Sequence, residues 1–402
     1  MPYPVSRHTA NRGVWRLIGH LAFNRITVRG RERLPLSGAV LYVATHRNGA
    51  LDAAPYSLAV PRALPMVSAQ LHRAAVGRFL FQGIPVARGK DRDRGITGDN
   101  VQSVERCIGW LSSGAQLLVM PEGTSTLGFR HLPFQRGAAR IAHAAINADV
   151  ALTIVPLGVH YEDPTVWQSR VEVLVGEPVQ PHPGDDVAAI HRLITQTLEA
   201  VGASFASRDA QRNAEALAYA STLGTDASYA LSLKHLEQAT PEALAEIVEP
   251  LAAIANRERL CLHQGVPLMP VAAWPLYALY WLVLAPLVAG FCLLNAPVLA
   301  VGYIASRKLP DAPNVVAFWR MAAGLPAGVL WAALASTAFG LACGLGGVAG
   351  YWGVTIAGIG AWYRFRKLSV ALCNGLFHAG ARAALLQAYG KLKDRMPHDR
   401  TA

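Results

Sequence analysis

Val40-Leu41-Tyr42-Val43-Ala44-Thr45-His46-Arg47-Asn48-Gly49-Ala50-Leu51-Asp52 is an apolar run that stops abruptly in a histidine, an Asn-Gly pair and an aspartate. An apolar run of this length and β-branched content predicts a buried strand, and Asn-Gly predicts a sharp turn. His46 then stands at the mouth of a sheet, with Asp52 returning toward it after a short loop. A neutral imidazole oriented by a carboxylate is a general base that works near neutral pH. The spacing restricts how the pair can meet. On an uninterrupted helix Asp52 would lie roughly 120° round from His46, six positions on, so the pairing requires an irregular turn at Asn48-Gly49.

Outward from this stretch, short apolar runs alternate with helical patterns from about residue 38 to 176. Further strands are predicted at Ile84 to Ala87, Gln116 to Met120, Thr153 to Val159 and Val171 to Val175. One helix is capped by Asp99 or Asn100, repeats Val101, Val104, Ile108 and Leu111 at helical spacing, and stops at Gly114. Another spans about Gln135 to Ala148. Alternating strands and helices predict an α/β fold, a mainly parallel sheet flanked by helices. Ligands of such sheets gather at the carboxyl ends of strands. His46, Arg88 and Glu122 each follow one of these strands, so a base, a cation and a carboxylate converge on one rim.

The flanking segments differ in character. Residues 1–36 carry seven arginines and one acid, Glu32, around Val14, Trp15, Leu17, Ile18, Leu21 and Phe23. This basic amphipathic segment suits a helix on anionic lipid or one packed on the main domain. Residues 185–265 read as an ordinary helical extension. From Val271 to Ser306, 36 residues pass without a charge. A straight helix of that length would span roughly 54 Å against a hydrocarbon core of about 30 Å. Pro286, Gly290 and Pro297 offer breaks, so a bent or re-entrant hairpin is expected. A second uncharged run, Met321 to Tyr363, has room for two spans hinged at Gly344-Leu345-Gly346-Gly347. Basic residues at 307–320 and 364–367 place those segments in the cytoplasm, with the His46 domain on the same side of an inner membrane. The expected division is 1–36, main α/β domain 37–184, extension 185–265, membrane-embedded helices 266–370 and tail 371–402.

Bulk composition agrees with a membrane partner. The net charge is +11, yet only 16% of residues are charged and 52% are hydrophobic, which favours an anionic membrane over nucleic acid. The five cysteines (107, 261, 292, 343, 373) contain no CxxC and no close pairing, so neither a disulfide framework nor a zinc site is expected.

Four stretches together resemble the glycerolipid acyltransferase superfamily, the lysophosphatidate and glycerol-3-phosphate acyltransferases. They are His46-Arg47-Asn48-Gly49-Ala50-Leu51-Asp52, Gly83-Ile84-Pro85-Val86-Ala87-Arg88, Met120-Pro121-Glu122-Gly123-Thr124-Ser125 and Ile154-Val155-Pro156-Leu157-Gly158-Val159. Order and spacing match over roughly residues 25 to 180. Five residues separate His46 from Asp52, where most of the family has four. The longer spacing resembles the glycerol-3-phosphate and dihydroxyacetone-phosphate branch. The resemblance implies a membrane-bound O-acyltransferase that uses acyl-CoA or acyl carrier protein as donor and a lipid precursor as acceptor. Base catalysis and a polarising pocket suffice for that chemistry and the sequence shows no ligand cluster, so no metal or other cofactor is expected.

It also implies roles. His46 takes the acceptor hydroxyl proton and Asp52 holds its other ring nitrogen. No Ser or Cys nucleophile lies in the motif, so direct attack on the thioester is expected. Glu122, Gly123 and Thr124 are assigned to acceptor binding and Arg88 to its phosphate. Ser125 stands where the family commonly has Arg, which weakens phosphate recognition unless Arg88, Arg130 or Arg136 compensates. Pro156 is expected to end its run and shape a pocket wall or strand exit. His160 and Cys107 are read as structural.

Overall fold

The computed structural model describes residues 5–87, 100–222, 227–261, 274–378, 380, 381, 384, 387 and 390, with backbone alone for 5–12 and 274. By contact density the chain divides into two units. One comprises Met1–His20, Ile26–His160 and Val171–Ser204; the other comprises Leu21–Arg25, Tyr161–Arg170 and Phe205–Ala402.

The strands are β1 (Phe23–Arg29), β2 (Ala39–Ala44), β3 (Leu64–Ser68), β4 (Ile84–Val86), β5 (Gln116–Val119), β6 (Leu152–Tyr161) and β7 (Ser169–Val175). Their order in the sheet is β1-β7-β6-β2-β5-β3-β4. β2 pairs in parallel with β5 and β6, and β3 in parallel with β4 and β5. β7 returns antiparallel to β6: Gly176 N–H donates to Pro156 O and Glu162 N–H to Arg170 O. The α/β fold is therefore a mainly parallel sheet flanked by helices. Pro156 does not end its run. It lies inside the ten-residue β6, opposite Val43, and the strand continues to Tyr161.

The helices of the first unit are α1 (Val5–Ala22), α2 (Ala53–Ala59), α3 (Ala75–Leu80), α4 (Asn100–Ser112), α5 (Gly137–Ile146) and α6 (Val187–Val201). Leu111 of α4, Ile141 of α5 and Ile190 of α6 pack with Leu41, Val43, Leu117 and Ile154 of the sheet. Every residue of β2 is buried, which explains its uninterrupted apolar sequence. Cys107 joins this core, and burial pushes its thiol up to about 12. α1 packs on its own unit: Trp15 Nε1 donates to Leu80 O at 2.7 Å, and Trp15 and Ile18 are buried. Of the apolar side chains expected on one helical side, Leu17 stays exposed at 59% and Phe23 opens β1.

The second unit contains α7 (Arg208–Ser221), α8 (Tyr229–Glu237), α9 (Pro241–Arg257), α10 (Trp274–Leu294), α11 (Ala296–Lys308) and α12 (Val316–Phe377). α12 is two arms joined at Gly344, whose φ of 62° and ψ of −156° are not helical. The arms fold back on each other. The Phe339 and Tyr351 rings stack at 5.9 Å, and Trp352 Nε1 donates to Ser336 Oγ at 3.1 Å. Residues 12 apart on a straight helix would be separated by roughly 18 Å. The expected hinge is thus a hairpin tip.

α10 runs through Pro286 and Gly290 without ending. It lies antiparallel to the second arm: Trp281 Nε1 donates to Ser369 Oγ at 2.8 Å, and Asn295 Nδ2 to Thr355 Oγ1 at 3.1 Å. α11 lies antiparallel to the first arm, with Gly328 against Val298 and Gly302 against Gly324. The arms being antiparallel to each other, α11 must reverse on α10, and the turn is Asn295. Pro297 occupies the first turn of α11, where its missing N–H leaves no bond unmade. Segments Pro275–Leu294 and Pro313–Phe377 are both long and apolar enough to cross a membrane. Leu276, Leu279, Leu282, Val329, Leu330 and Leu334 are exposed along them. Cys261 and Cys373, far apart in sequence, bring their sulfurs to 3.4 Å.

Candidate active site

β2 ends at Ala44, and the chain then passes His46 and enters a 3-10 turn at Gly49–Asp52 that leads directly into α2. Gly49 takes a left-handed φ of 54° and Asn48 a φ of −123° with ψ of 45°. This irregular pair brings Asp52 back under His46 across the longer spacing. Asp52 Oδ2 lies 2.8 Å from His46 Nδ1 and also accepts the N–H groups of Arg47 (2.8 Å) and Asn48 (3.0 Å). A carboxylate oxygen only accepts, so Nδ1 carries a proton, and in the neutral imidazole the lone pair is on Nε2. The Asp52 side chain is fully buried, whereas His46 keeps 15% of its side chain exposed. The partly exposed imidazole therefore rests on a buried carboxylate.

Because β2 and β5 pair in parallel with Val43 opposite Val119, the loops that leave them are neighbours. Glu122 Oε1 accepts the His46 N–H at 2.9 Å, and Oε2 accepts the Leu132 N–H at 3.3 Å. Thr126 N–H donates to His46 O at 3.1 Å, and Arg47 Nη2 to Gly128 O at 3.0 Å. His131 places Nδ1 3.6 Å from Glu122 Oε1, with its own side chain 8% exposed. The sequence-based convergence of His46 and Glu122 is met, but through the histidine's backbone.

Gly123 sits at a φ of 68°, and a methyl group on its Cα would meet only Gln135 Cγ, at 4.0 Å. Its backbone conformation, not lack of space, calls for glycine. Thr124 and Ser125 follow on the same turn, half-buried. Gln135 N–H donates to Pro121 O at 2.8 Å, so the exposed Arg136, at the start of α5, stands beside the turn. Arg88 lies outside the described residues. Among the described residues no group of three or more His, Cys, Asp or Glu could hold a metal ion.

Three contributors are not evident in the sequence. Tyr56 donates its hydroxyl to Thr45 O at 2.6 Å, and Thr45 Oγ1 accepts the Val159 N–H at 3.0 Å. Burial, with Asp52 adding to it, pushes the Tyr56 hydroxyl well above its ordinary range, so it stays a donor beneath the His46 loop. His131 is the third. α2 places Tyr56 one helical turn after Asp52, a spacing that could have drawn attention to it; nothing comparable marks Thr45 or His131. His160 is structural, with Nε2 2.8 Å from Val201 O.

Residues 25–160 match the protein-family model described as Acyltransferase. No curated protein matches the chain. Among solved structures, the 1-acyl-sn-glycerophosphate (LPA) acyltransferase PlsC from Thermotoga maritima is similar at 17% identity. That likeness covers 48% of this chain and 76% of that one, with a TM-score of 0.36.

Proposed function

We propose that this acyltransferase-family domain works as a membrane-bound O-acyltransferase, passing a fatty acyl group from an acyl thioester to a glycerol-phosphate or lysophosphatidate-type hydroxyl. The observation that carries the reading is the His46–Asp52 pair, a partly exposed imidazole with a buried carboxylate on Nδ1, which leaves Nε2 to act as the base. Nε2 takes the acceptor hydroxyl proton as the oxygen attacks the thioester carbonyl. The tetrahedral intermediate collapses, the C–S bond breaks, and the imidazolium returns the proton to the leaving thiolate. Asp52 stabilises the imidazolium between these steps, as the carboxylate does in a serine-protease triad. Gly123, Thr124 and Arg136 lie on or beside the adjoining turn and are assigned the acceptor, with Arg88 for its phosphate. The donor is acyl-CoA or acyl carrier protein.

The apolar helices of the second unit anchor the chain, and the exposed leucines along them supply the lipid-facing surface. The basic residues at 307–320 and 364–367 favour a cytoplasmic position for those ends. Purified protein given labelled acyl-CoA and a panel of glycerol 3-phosphate, lysophosphatidate and lysophospholipids tests the reading. His46→Ala is expected to lose transfer by at least about 10²-fold while remaining in membranes. Undiminished transfer in that variant refutes the mechanism.

A second reading keeps the chemistry and changes the acceptor. Ser125 cannot supply the bidentate cation that suits a phosphate. Should the panel show product with a lysophospholipid or hydrophobic alcohol but none with glycerol 3-phosphate or lysophosphatidate, this reading replaces the first. Lipid binding with product in no lane would indicate a non-catalytic lipid-binding protein.

A further inference from the structure

We propose that Glu122 is a positioning residue that fixes His46 through its backbone and makes no contact with the acceptor; the inference rests on the reading of His46 as the base. The Glu122 side chain is fully buried. Its Oε1 accepts the His46 N–H and its Oε2 the Leu132 N–H, so each oxygen already serves a backbone donor. His131, itself nearly buried, closes the side of Oε1 at 3.6 Å. With the carboxylate fully enclosed, an acceptor hydroxyl could reach it only by displacing the residues packed around it, and an acceptor phosphate would meet a buried charge of its own sign.

The surrounding contacts explain the arrangement. Thr126, on the same loop, donates its N–H to His46 O. The base is therefore held at both backbone polar groups by residues 122 and 126, and at its ring by Asp52. Three anchors on one residue fix the direction of Nε2, and misplacement by about 1 Å can cost roughly 10²-fold in rate. The side-chain type follows. Glutamine offers one acceptor and one donor, so it must point a donor at one of the two N–H groups. Aspartate is one methylene shorter and reaches one of them at most.

The test uses the full chain, with Glu122→Gln and Glu122→Asp assayed at saturating acyl-CoA and varied lysophosphatidate, folding being followed by circular dichroism. Positioning predicts a kcat lower by about 10- to 100-fold. The acceptor KM is expected to stay within about twofold of the parent, and the thermal shift produced by lysophosphatidate alone to be unchanged. A raised acceptor KM with kcat restored at saturation would show direct contact and overturn the proposal. Unaltered kinetics overturn it too. Loss of the folded state in both variants assigns the carboxylate to stability alone and likewise overturns it. The failure of the underlying reading is separate: it would appear as an active His46→Ala enzyme.

Discussion

Asp52 Oδ2 accepts three hydrogens, one from the His46 ring and two from the Arg47 and Asn48 backbone. Asparagine in its place keeps an acceptor but loses the charge that steadies an imidazolium. Asp52→Asn is therefore expected to lower kcat by about 10³-fold or more, with the chain still folded by circular dichroism. Gly49→Ala tests the turn itself. A φ of 54° costs an alanine about 1–2 kcal/mol, which should appear as a lower melting temperature together with a lower rate. This much of the site is legible in the sequence, because a strand end, an Asn-Gly turn and an aspartate follow one another along the chain. The commitment of both Glu122 oxygens to backbone donors, the Tyr56–Thr45 bond and the His131 contact are not, since each depends on which loops the parallel sheet brings side by side. Cys107 gives a residue-scale test of the core. Burial raises its thiol to about 12 from an ordinary value near 9. The folded chain therefore holds this proton more tightly than the unfolded one. Its contribution is complete below pH 9 and declines as pH rises from 9 toward 12, by about 1.4 kcal/mol per unit. Cys107→Ala is expected to show a smaller loss of stability between about pH 8 and about pH 10 than the parent, read from denaturation midpoints.

At the scale of elements, β2, β4, β5, β6 and β7 are readable as apolar runs, whereas β1 and β3 are not. β1 (Phe-Asn-Arg-Ile-Thr-Val-Arg) is an edge strand in the sheet, so its outward residues are polar and it follows a helix without a break. β3 carries Pro65 within five residues, a residue that argues against a strand inside a sheet. Helix pairing in the second unit is equally hidden, because a run without charges has no polar face to mark which side meets a neighbour. Gly358 shows what decides it. A methyl there would stand 2.3 Å from Phe291 Cβ, so α10 reaches the second arm of α12 only across a glycine. Gly358→Leu is expected to destabilise this helix pair by about 1–3 kcal/mol, read as a lower melting temperature in detergent. The end of the same arm supplies a geometric check. Asn374 Oδ1 accepts the Cys261 N–H at 2.7 Å and its Nδ2 donates to Cys261 O at 2.9 Å, which holds the Cys261 and Cys373 sulfurs in contact.

At the scale of the whole molecule, the helical hairpins of the second unit gather the basic segments at one end. The pairings along α10, α11 and the two arms place the Asn295 turn and the Gly344 tip toward one end, and the basic segments around 307–320 and 364–367 toward the other. The second hairpin extends further, since Asn295 meets Tyr351, and the Gly344 tip lies seven residues, roughly 10 Å, beyond that level. Each arm of α12 exceeds the ~20 residues that a span requires. The first block differs: α10 has the length of a span, but α11 has 13 residues and rises roughly 20 Å, less than the hydrocarbon core of about 30 Å that a return crossing would need. Cys343, exposed and next to Gly344, reports on the tip without an added probe. In a Cys261→Ser, Cys373→Ser background, a membrane-impermeant maleimide is expected to label Cys343 from one side of sealed vesicles. Asp311→Cys, in the turn between α11 and α12, should react from the other side only. Labelling of both from the same side would mean that the arms of α12 turn back inside the bilayer.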